Sequence, residues 1–281
     1  MTTRLLTAQP VLDAHQPALQ AQIEQMSVKP GLAIVMIGQH APSLTYVKKK
    51  QELASHLGLN FYLTHLHAGS TQADVHNTIN ALAAAPHIHG IILQLPLPAH
   101  LDAEAALNQI PVHKDVDGLT DASRQQQTHN APNAFWPATP KGVMTLVDFY
   151  EIPITGQNAC VVGRSRLVGA PLAQMLSQRG AEVEVFSLER PLDPAITRQA
   201  HVIFTATGQP GLLTPENVNP QATVIDIGIS RQQTPDGKSQ LVGDAAPELR
   251  EYVKALTPVP GGVGPLTVFS LMENILTATR R

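Results

Sequence analysis

The sequence predicts an α/β protein of two domains, each built on a parallel sheet. Three observations lead there. Short apolar runs alternate with segments of helical periodicity along most of the 281 residues. The alternation breaks once, between Pro111 and Pro140, in a polar, Gln- and Asn-rich stretch interrupted by prolines. It then resumes with a strand, a glycine-bearing turn and a helix, from Asn158 to Gln178, which is the layout of a nucleotide-binding unit.

Taken in order, residues 9–26 place Ala, Leu and Ile at roughly helical spacing among Gln and His, and predict a leading amphipathic helix. Gly31 to Gly38 (GLAIVMIG) is an apolar run bounded by glycines and predicts a buried strand. Ser43 is placed to cap a helix running to about Leu57, which Gly58 can end. A strand is expected over Asn60 to Leu66, a helix over Gln72 to Ala85, and a strand over Gly90 to Leu95 that Pro96 and Pro98 terminate. The stretch from Pro111 to Pro140 reads as loop or linker. A helix over Lys141 to Tyr150 precedes the strand Asn158 to Val162 and the helix Leu167 to Gln178. Further strands are expected near Glu182 to Ser187, His201 to Ala206 and Thr223 to Ile227, with a hairpin around Thr234 to Lys238. A Pro/Gly loop then leads into a final helix.

Composition narrows the classes of partner. The net charge is −3, without a basic stripe laced with aromatics, so no nucleic acid is expected. No apolar run approaches the ~18 residues of a membrane span, and the first residues lack the core of a signal peptide, so no membrane is expected and the location expected is cytoplasmic. The single cysteine, Cys160, lies in an apolar strand run and reads as a small hydrophobe.

Several stretches could do chemistry. The turn VVGRSRLVGAP, Val161 to Pro171, can aim backbone N–H groups and a helix dipole at a phosphate, although any tight strand-to-helix turn also favours glycine. Tyr46 and Lys50 are four apart on a predicted helix and share a face. Gln94 ends a predicted strand, where parallel sheets place their sites, and a neutral amide can orient an amine without stabilising its charged form. A partly buried lysine beside a glutamine is suited to exchanging a proton near neutral pH. In KDVDG, Asp115 and Asp117 could hold a metal, form a turn ending in Gly118, or let one carboxylate accept two N–H groups of a heterocycle. The pairs His65/His67 and His87/His89 lack the neighbouring Cys or carboxylate of a zinc site, and no metal is expected. PGGVGP, Pro260 to Pro265, makes a loop of fixed shape with bare backbone, as needed where a flat ligand or a second backbone approaches.

Together these stretches resemble one family. APSLTYVKKK, GIILQLPLP, KDVDG, PATPKG, VVGRSRLVGAP, VIDIGIS, LVGD and TPVPGGVGP, in this order and at these spacings, are similar to the methylenetetrahydrofolate dehydrogenase/cyclohydrolase family, from about Pro30 to Asn274. The resemblance implies a folate-binding catalytic domain over 1–139 plus 266–281 and a Rossmann-type domain over 140–265, with the cleft between them. It implies oxidation of 5,10-methylenetetrahydrofolate to the methenyl cation with NADP, NAD being possible, and hydrolysis of that cation to 10-formyltetrahydrofolate. Carried over by match, Lys50 manages protons, Gln94 tunes it, Tyr46 packs on the folate and Asp117 accepts the pterin N–H groups. Pro260, Gly261, Gly262 and Gly264 shape the cleft floor, and Gly163, Arg164, Ser165 and Ile229 hold the dinucleotide. Tetrahydrofolate derivatives are the implied substrates and a homodimer the implied assembly.

The chain also departs from the family pattern. Where the family usually reads cysteine-histidine-serine after the second nucleotide-domain strand, with the serine near the cofactor 2′-phosphate, this chain has Phe186, Ser187 and Leu188. Arg190 is close enough in sequence to take over beside Arg164. Residues 119–136 lose the usual histidine-proline and asparagine-x-glycine pattern. A diverged relative that binds folate or nucleotide without turnover is the alternative these departures raise, and a shikimate-type dehydrogenase shares the general layout.

Overall fold

The computed structural model describes residues 2–233, 237 and 239–281. Two compact units emerge, one of residues 1–13 and 139–267, the other of residues 14–138 and 268–281. The former is called the nucleotide unit below and the latter the lysine unit.

The chain runs β1 (Arg4–Leu5), α1 (Ala8–Glu24), β2 (Gly31–Ile37), α2 (Ala41–His56), β3 (Asn60–Leu66), α3 (Gln72–Ala84), β4 (Gly90–Leu93), α4 (Ala103–Leu107) and α5 (Asp121–Thr128). It continues with α6 (Ala138–Phe149), β5 (Asn158–Val162), α7 (Gly169–Gln178), β6 (Glu182–Phe186), α8 (Pro194–Thr197), β7 (Val202–Thr205) and β8 (Thr223–Asp226). The last elements are β9 (Ser230–Gln233), β10 (Ser239–Val242), a short 3-10 turn, β11 (Ala255–Leu256) and α9 (Val263–Thr279). Residues 234–236 and 238 of the expected hairpin turn lie outside the described residues, and the flanking β9 and β10 pair antiparallel.

The lysine unit is built on a parallel sheet of order β3-β2-β4. Every residue of the central β2 is buried, as its unbroken apolar run requires of a parallel strand covered on both faces. The edge strand β3 alternates between half-buried and exposed residues. Thr71 and Asp74 form a capping box that starts α3. A Cβ on Gly90 would stand 2.3 Å from the Ile275 side chain and 2.7 Å from Val116, so glycine lets α9 and the KDVDG segment close on β4.

The nucleotide unit holds a six-stranded sheet of order β1-β11-β8-β7-β5-β6, parallel throughout. β6 lies on one side of β5 and β7 on the other, so the order reverses at β5. That reversal is the switch point at which open parallel sheets place ligands.

Three expectations need correcting. Residues 1–13, expected with the folate-binding domain, belong to the nucleotide unit, because β1 pairs with β11 (Arg4↔Ala255, Leu5↔Leu256) and Leu6 is buried in that unit's core. Two paired residues are too few for any periodicity to announce them. Ser43 does not cap α2: the N-cap is His40, and the Ser43 hydroxyl donates to the Leu95 carbonyl (3.3 Å). The stretch from Pro111 to Pro140 is not all loop, since α5 lies within it, capped by Thr120.

Candidate active site

In the lysine unit, α2 and the end of β4 bring Lys50 and Gln94 together. The Lys50 Nζ donates to Gln94 Oε1 at 3.1 Å, and the Gln94 Nε2 donates to the Leu95 carbonyl at 2.9 Å. The second bond fixes which end of the amide faces the amine: the oxygen does. Lys50 and Tyr46, one turn earlier, are both half-buried.

Asp117 completes the group, which the sequence alone did not connect to Lys50. Burial pushes the Lys50 ammonium below its ordinary range, with the Asp117 charge opposing. Burial likewise raises the Asp117 carboxyl, opposed by the Lys50 charge and by the Ala138 backbone N–H, with Asp115 adding to the rise. Each shift favours the neutral form. Proton exchange among amine, carboxyl and water is therefore easier here than between an ordinary lysine and aspartate. Burial also raises the Tyr46 phenol, which stays protonated at neutral pH and offers a flat ring.

The five residues of KDVDG divide their labour. The Lys114 Nζ donates to the carbonyls of Ala83 (2.7 Å) and Ala85 (2.9 Å), closing the C-terminal end of α3. Asp115 is buried and accepts from the Leu119 N–H, the Thr120 N–H and the Ser123 hydroxyl, so it organises the start of α5. Val116 packs against Gly90. Gly118 closes the turn, donating its N–H to the Asp115 carbonyl at a φ of 65°. Asp117 alone is directed to the Lys50 group.

Two residues that sequence reasoning missed hold this turn in place. The buried Asn274, on α9, donates to the Val116 carbonyl (2.8 Å) and the Trp136 carbonyl (3.1 Å). Gln127, in the segment that departs from the family pattern, donates to the carbonyls of Gly118 (2.8 Å) and Phe135 (2.7 Å). Three of the four paired histidines are engaged with backbone, His65 with the Gly38 carbonyl, His67 with the Gly69 N–H and His89 with the Gly31 N–H, and the His87 ring lies against Tyr62.

In the nucleotide unit a cavity of about 460 Å³ opens at the carboxyl ends of β5, β6 and β7. Gly163, Arg164, Ser165, Leu188, Glu189 and Thr207 are among its lining residues. The two glycines of the turn answer to internal contacts first. A Cβ at Gly163, whose φ is 107°, would stand 2.7 Å from the Ala206 carbonyl oxygen, and one at Gly169 would stand 1.7 Å from the Gly163 oxygen. The Ser165 hydroxyl accepts from the N–H groups of Val168 (3.2 Å) and Gly169 (3.4 Å), acting as a side-chain cap for α7. Arg164 is exposed at the rim.

Arg190 is directed elsewhere. Its Nη2 pairs with Glu184 Oε2 at 2.6 Å, and its guanidinium lies over the Phe186 ring at 5.3 Å. It is not among the residues lining the cavity, which leaves Arg164 as the single basic side chain there.

The PGGVGP loop belongs to the nucleotide unit up to its helix entry. The Ala8 N–H donates to the Gly261 carbonyl (2.8 Å), and a Cβ on Gly262 would meet the Pro258 oxygen at 2.6 Å. A second backbone does approach here, and it is the protein's own. Pro260 follows a cis peptide bond. Gly264 lies near Ile229, whose Cδ1 would be 3.9 Å from an added Cβ and which is 41% exposed.

Known proteins resemble this chain along nearly its whole length. The family model described as tetrahydrofolate dehydrogenase/cyclohydrolase, catalytic domain, matches residues 6–117, and the NAD(P)-binding domain of the same family matches residues 137–281. The bifunctional protein FolD of Acholeplasma laidlawii (strain PG-8A) is 38% identical over 272 residues, covering 96% of each chain. The crystal structure of the bifunctional enzyme FolD, a methylenetetrahydrofolate dehydrogenase/cyclohydrolase from Campylobacter jejuni, superposes with a TM-score of 0.93 at 34% identity, covering 99% of both chains. That of the Trypanosoma brucei enzyme, complexed with NADP cofactor and inhibitor, gives 0.92 at 32% identity over 99% of this chain and 98% of that one. With both domain models matched in order and relatives alike over nearly their full length, the chain belongs to the tetrahydrofolate dehydrogenase/cyclohydrolase family.

Proposed function

We propose that the protein oxidises 5,10-methylenetetrahydrofolate to 5,10-methenyltetrahydrofolate with NADP and hydrolyses the product to 10-formyltetrahydrofolate. The observation that supports this most directly is the Lys50 amine, lowered in basicity by burial, held on the Gln94 amide within electrostatic reach of Asp117. Family membership supplies the substrate class, and the bifunctional relatives supply the pairing of the two steps.

The cavity of the nucleotide unit fits a dinucleotide by its donor set. A glycine turn with exposed backbone, a helix start at Gly169, one arginine and apolar walls meet at the sheet's switch point. Gly163, Arg164 and Ser165 would hold the phosphates and ribose, and Ile229 would pack near the nicotinamide. When bound, NADP supplies the hydride acceptor.

For oxidation the protein's task is alignment, because the folate nitrogens themselves push electrons toward the leaving hydride. Tyr46 stacks its ring on the folate and Asp117 accepts the pterin N–H groups. For hydrolysis the Lys50 Nζ takes a proton from the attacking water and delivers it to the departing folate nitrogen as the ring opens, the proton of the new hydroxyl leaving to solvent, while Gln94 keeps the amine aimed. The same family reading gives a homodimer, and the lack of a signal-like start in the sequence gives a cytoplasmic location. Among the described residues no helix is long and apolar enough to cross a membrane.

Lys50→Met tests the assignment. Loss of methenyl hydrolysis by about 100-fold or more is expected, with methylenetetrahydrofolate-dependent NADP reduction retained. Hydrolysis unchanged in this variant would sink the role given to Lys50.

A further inference from the structure

We propose that Glu189 sets the cofactor preference of this chain, its carboxylate addressing the ribose 2′-hydroxyl and opposing a 2′-phosphate, with Arg164 as the counterweight that lets NADP bind. The inference rests on the nucleotide reading of the cavity and concerns how the cavity divides NADP from NAD.

Glu189 lies three residues past the end of β6 and lines the cavity together with Arg164. In a Rossmann-type unit a carboxylate in this region bonds the ribose hydroxyls of NAD, whereas an arginine accommodates the phosphate of NADP. The side chain is held by its own turn. The Ser187 hydroxyl donates to Glu189 Oε2 at 2.6 Å, and the Ser187 Oγ in turn accepts from the Glu189 and Arg190 N–H groups at 3.2 and 3.3 Å. The Ser187 hydrogen bond, with smaller help from the Arg164 charge, keeps the Glu189 carboxyl below its ordinary range, so it is an anion at neutral pH.

The cation that sequence reading offered as a second phosphate ligand is taken. Arg190 is turned back to Glu184 and the Phe186 ring, away from the cavity lining. Leu188, 87% exposed at the tip of the same turn, gives the rim an apolar face suited to a purine. The rim therefore presents one cation and one anion to the ribose 2′ position. NADP gains from Arg164 and loses to Glu189; NAD keeps the ribose hydrogen bond, which a glutamine oxygen at 189 can also accept.

The test is calorimetric binding of NADP and NAD to the wild-type chain and to Glu189→Gln, Arg164→Gln and Arg190→Gln, alongside kcat/KM for each cofactor. Glu189→Gln should tighten NADP by about tenfold and change NAD by less than about threefold, the size expected for removing one like charge from a solvated pocket. Arg164→Gln should weaken NADP selectively, and Arg190→Gln should leave the NADP:NAD ratio in place. An unchanged ratio in Glu189→Gln, or selective loss of NADP in Arg190→Gln, overturns the assignment while leaving the nucleotide site standing. If the wild-type chain binds neither dinucleotide, the nucleotide reading and this inference fall together.

Discussion

Replacing Gln94 by glutamate asks whether the amine of Lys50 must be neutral to act. The substitution keeps the shape of the side chain and puts an anion where the amide oxygen now stands, 3.1 Å from the Lys50 Nζ. Two unit charges at that distance attract by about 1.3 kcal/mol in bulk water and about 5 kcal/mol at an effective dielectric near 20. Even the smaller value lowers the fraction of neutral amine about tenfold at a fixed pH below its pKa. The loss of the Nε2 donor to the Leu95 carbonyl adds a local cost, but that cost does not depend on pH. Loss of the methenyl chromophore, followed across pH with the non-enzymatic rate subtracted, separates the two effects. In Gln94→Glu the rising limb of the hydrolysis profile should move to higher pH, so that the deficit is large near neutrality and shrinks on the alkaline side. A deficit equal at every pH, with the limb in place, would show that Gln94 only shapes the pocket and that Lys50 basicity is not what it tunes.

Two further predictions come from the nucleotide unit. Gly163→Ala should cost about 1–3 kcal/mol of stability, since its φ of 107° and the Ala206 oxygen 2.7 Å from the new Cβ both resist it. It should also weaken dinucleotide binding; urea unfolding together with calorimetric titration checks both, and a stable variant with full affinity would refute the contact. Burial pushes the Asp226 carboxyl up from 3.8 to about 6, although the N–H groups of Ala245, Asp244 and Gly228 oppose it. The folded chain thus binds this proton more tightly than the unfolded chain, and the associated stability is fully present below pH 3.8 and lost as pH rises through about 6. The difference is about 3 kcal/mol. Unfolding free energies of the wild-type chain and of Asp226→Asn, compared from pH 4.5 to 7.5, should diverge with the wild type losing ground as pH rises; a flat difference would contradict it.

Much of the fold was legible because its cues are local. The strand bounds Asn60–Leu66 and Asn158–Val162 follow from apolar runs between polar punctuation, and the parallel sheets follow from the alternation of such runs with helices. Illegible elements were those whose cause is remote. The pairing of β1 with β11 spans most of the chain, and α5 depends on a buried Asp115 that accepts three donors, not on hydrophobic spacing. The turn glycines were legible as glycines, but their reason is the nearness of the Ala206 and Gly163 carbonyls.

By itself the sequence determined the order of elements, the family, and the pairing of Lys50 with Gln94. Those rest on periodicity, turn chemistry and motif spacing, which are properties of neighbouring residues. The motif match pointed to Asp117 of KDVDG; only the tertiary structure showed that Asp115 is engaged at the start of α5, and that Glu189 and not Arg190 joins Arg164 at the cavity. A side chain on a turn can face several ways at little cost. Its direction is settled by partners the spacing does not reveal, such as Ser123 for Asp115, Glu184 for Arg190 and Ser187 for Glu189.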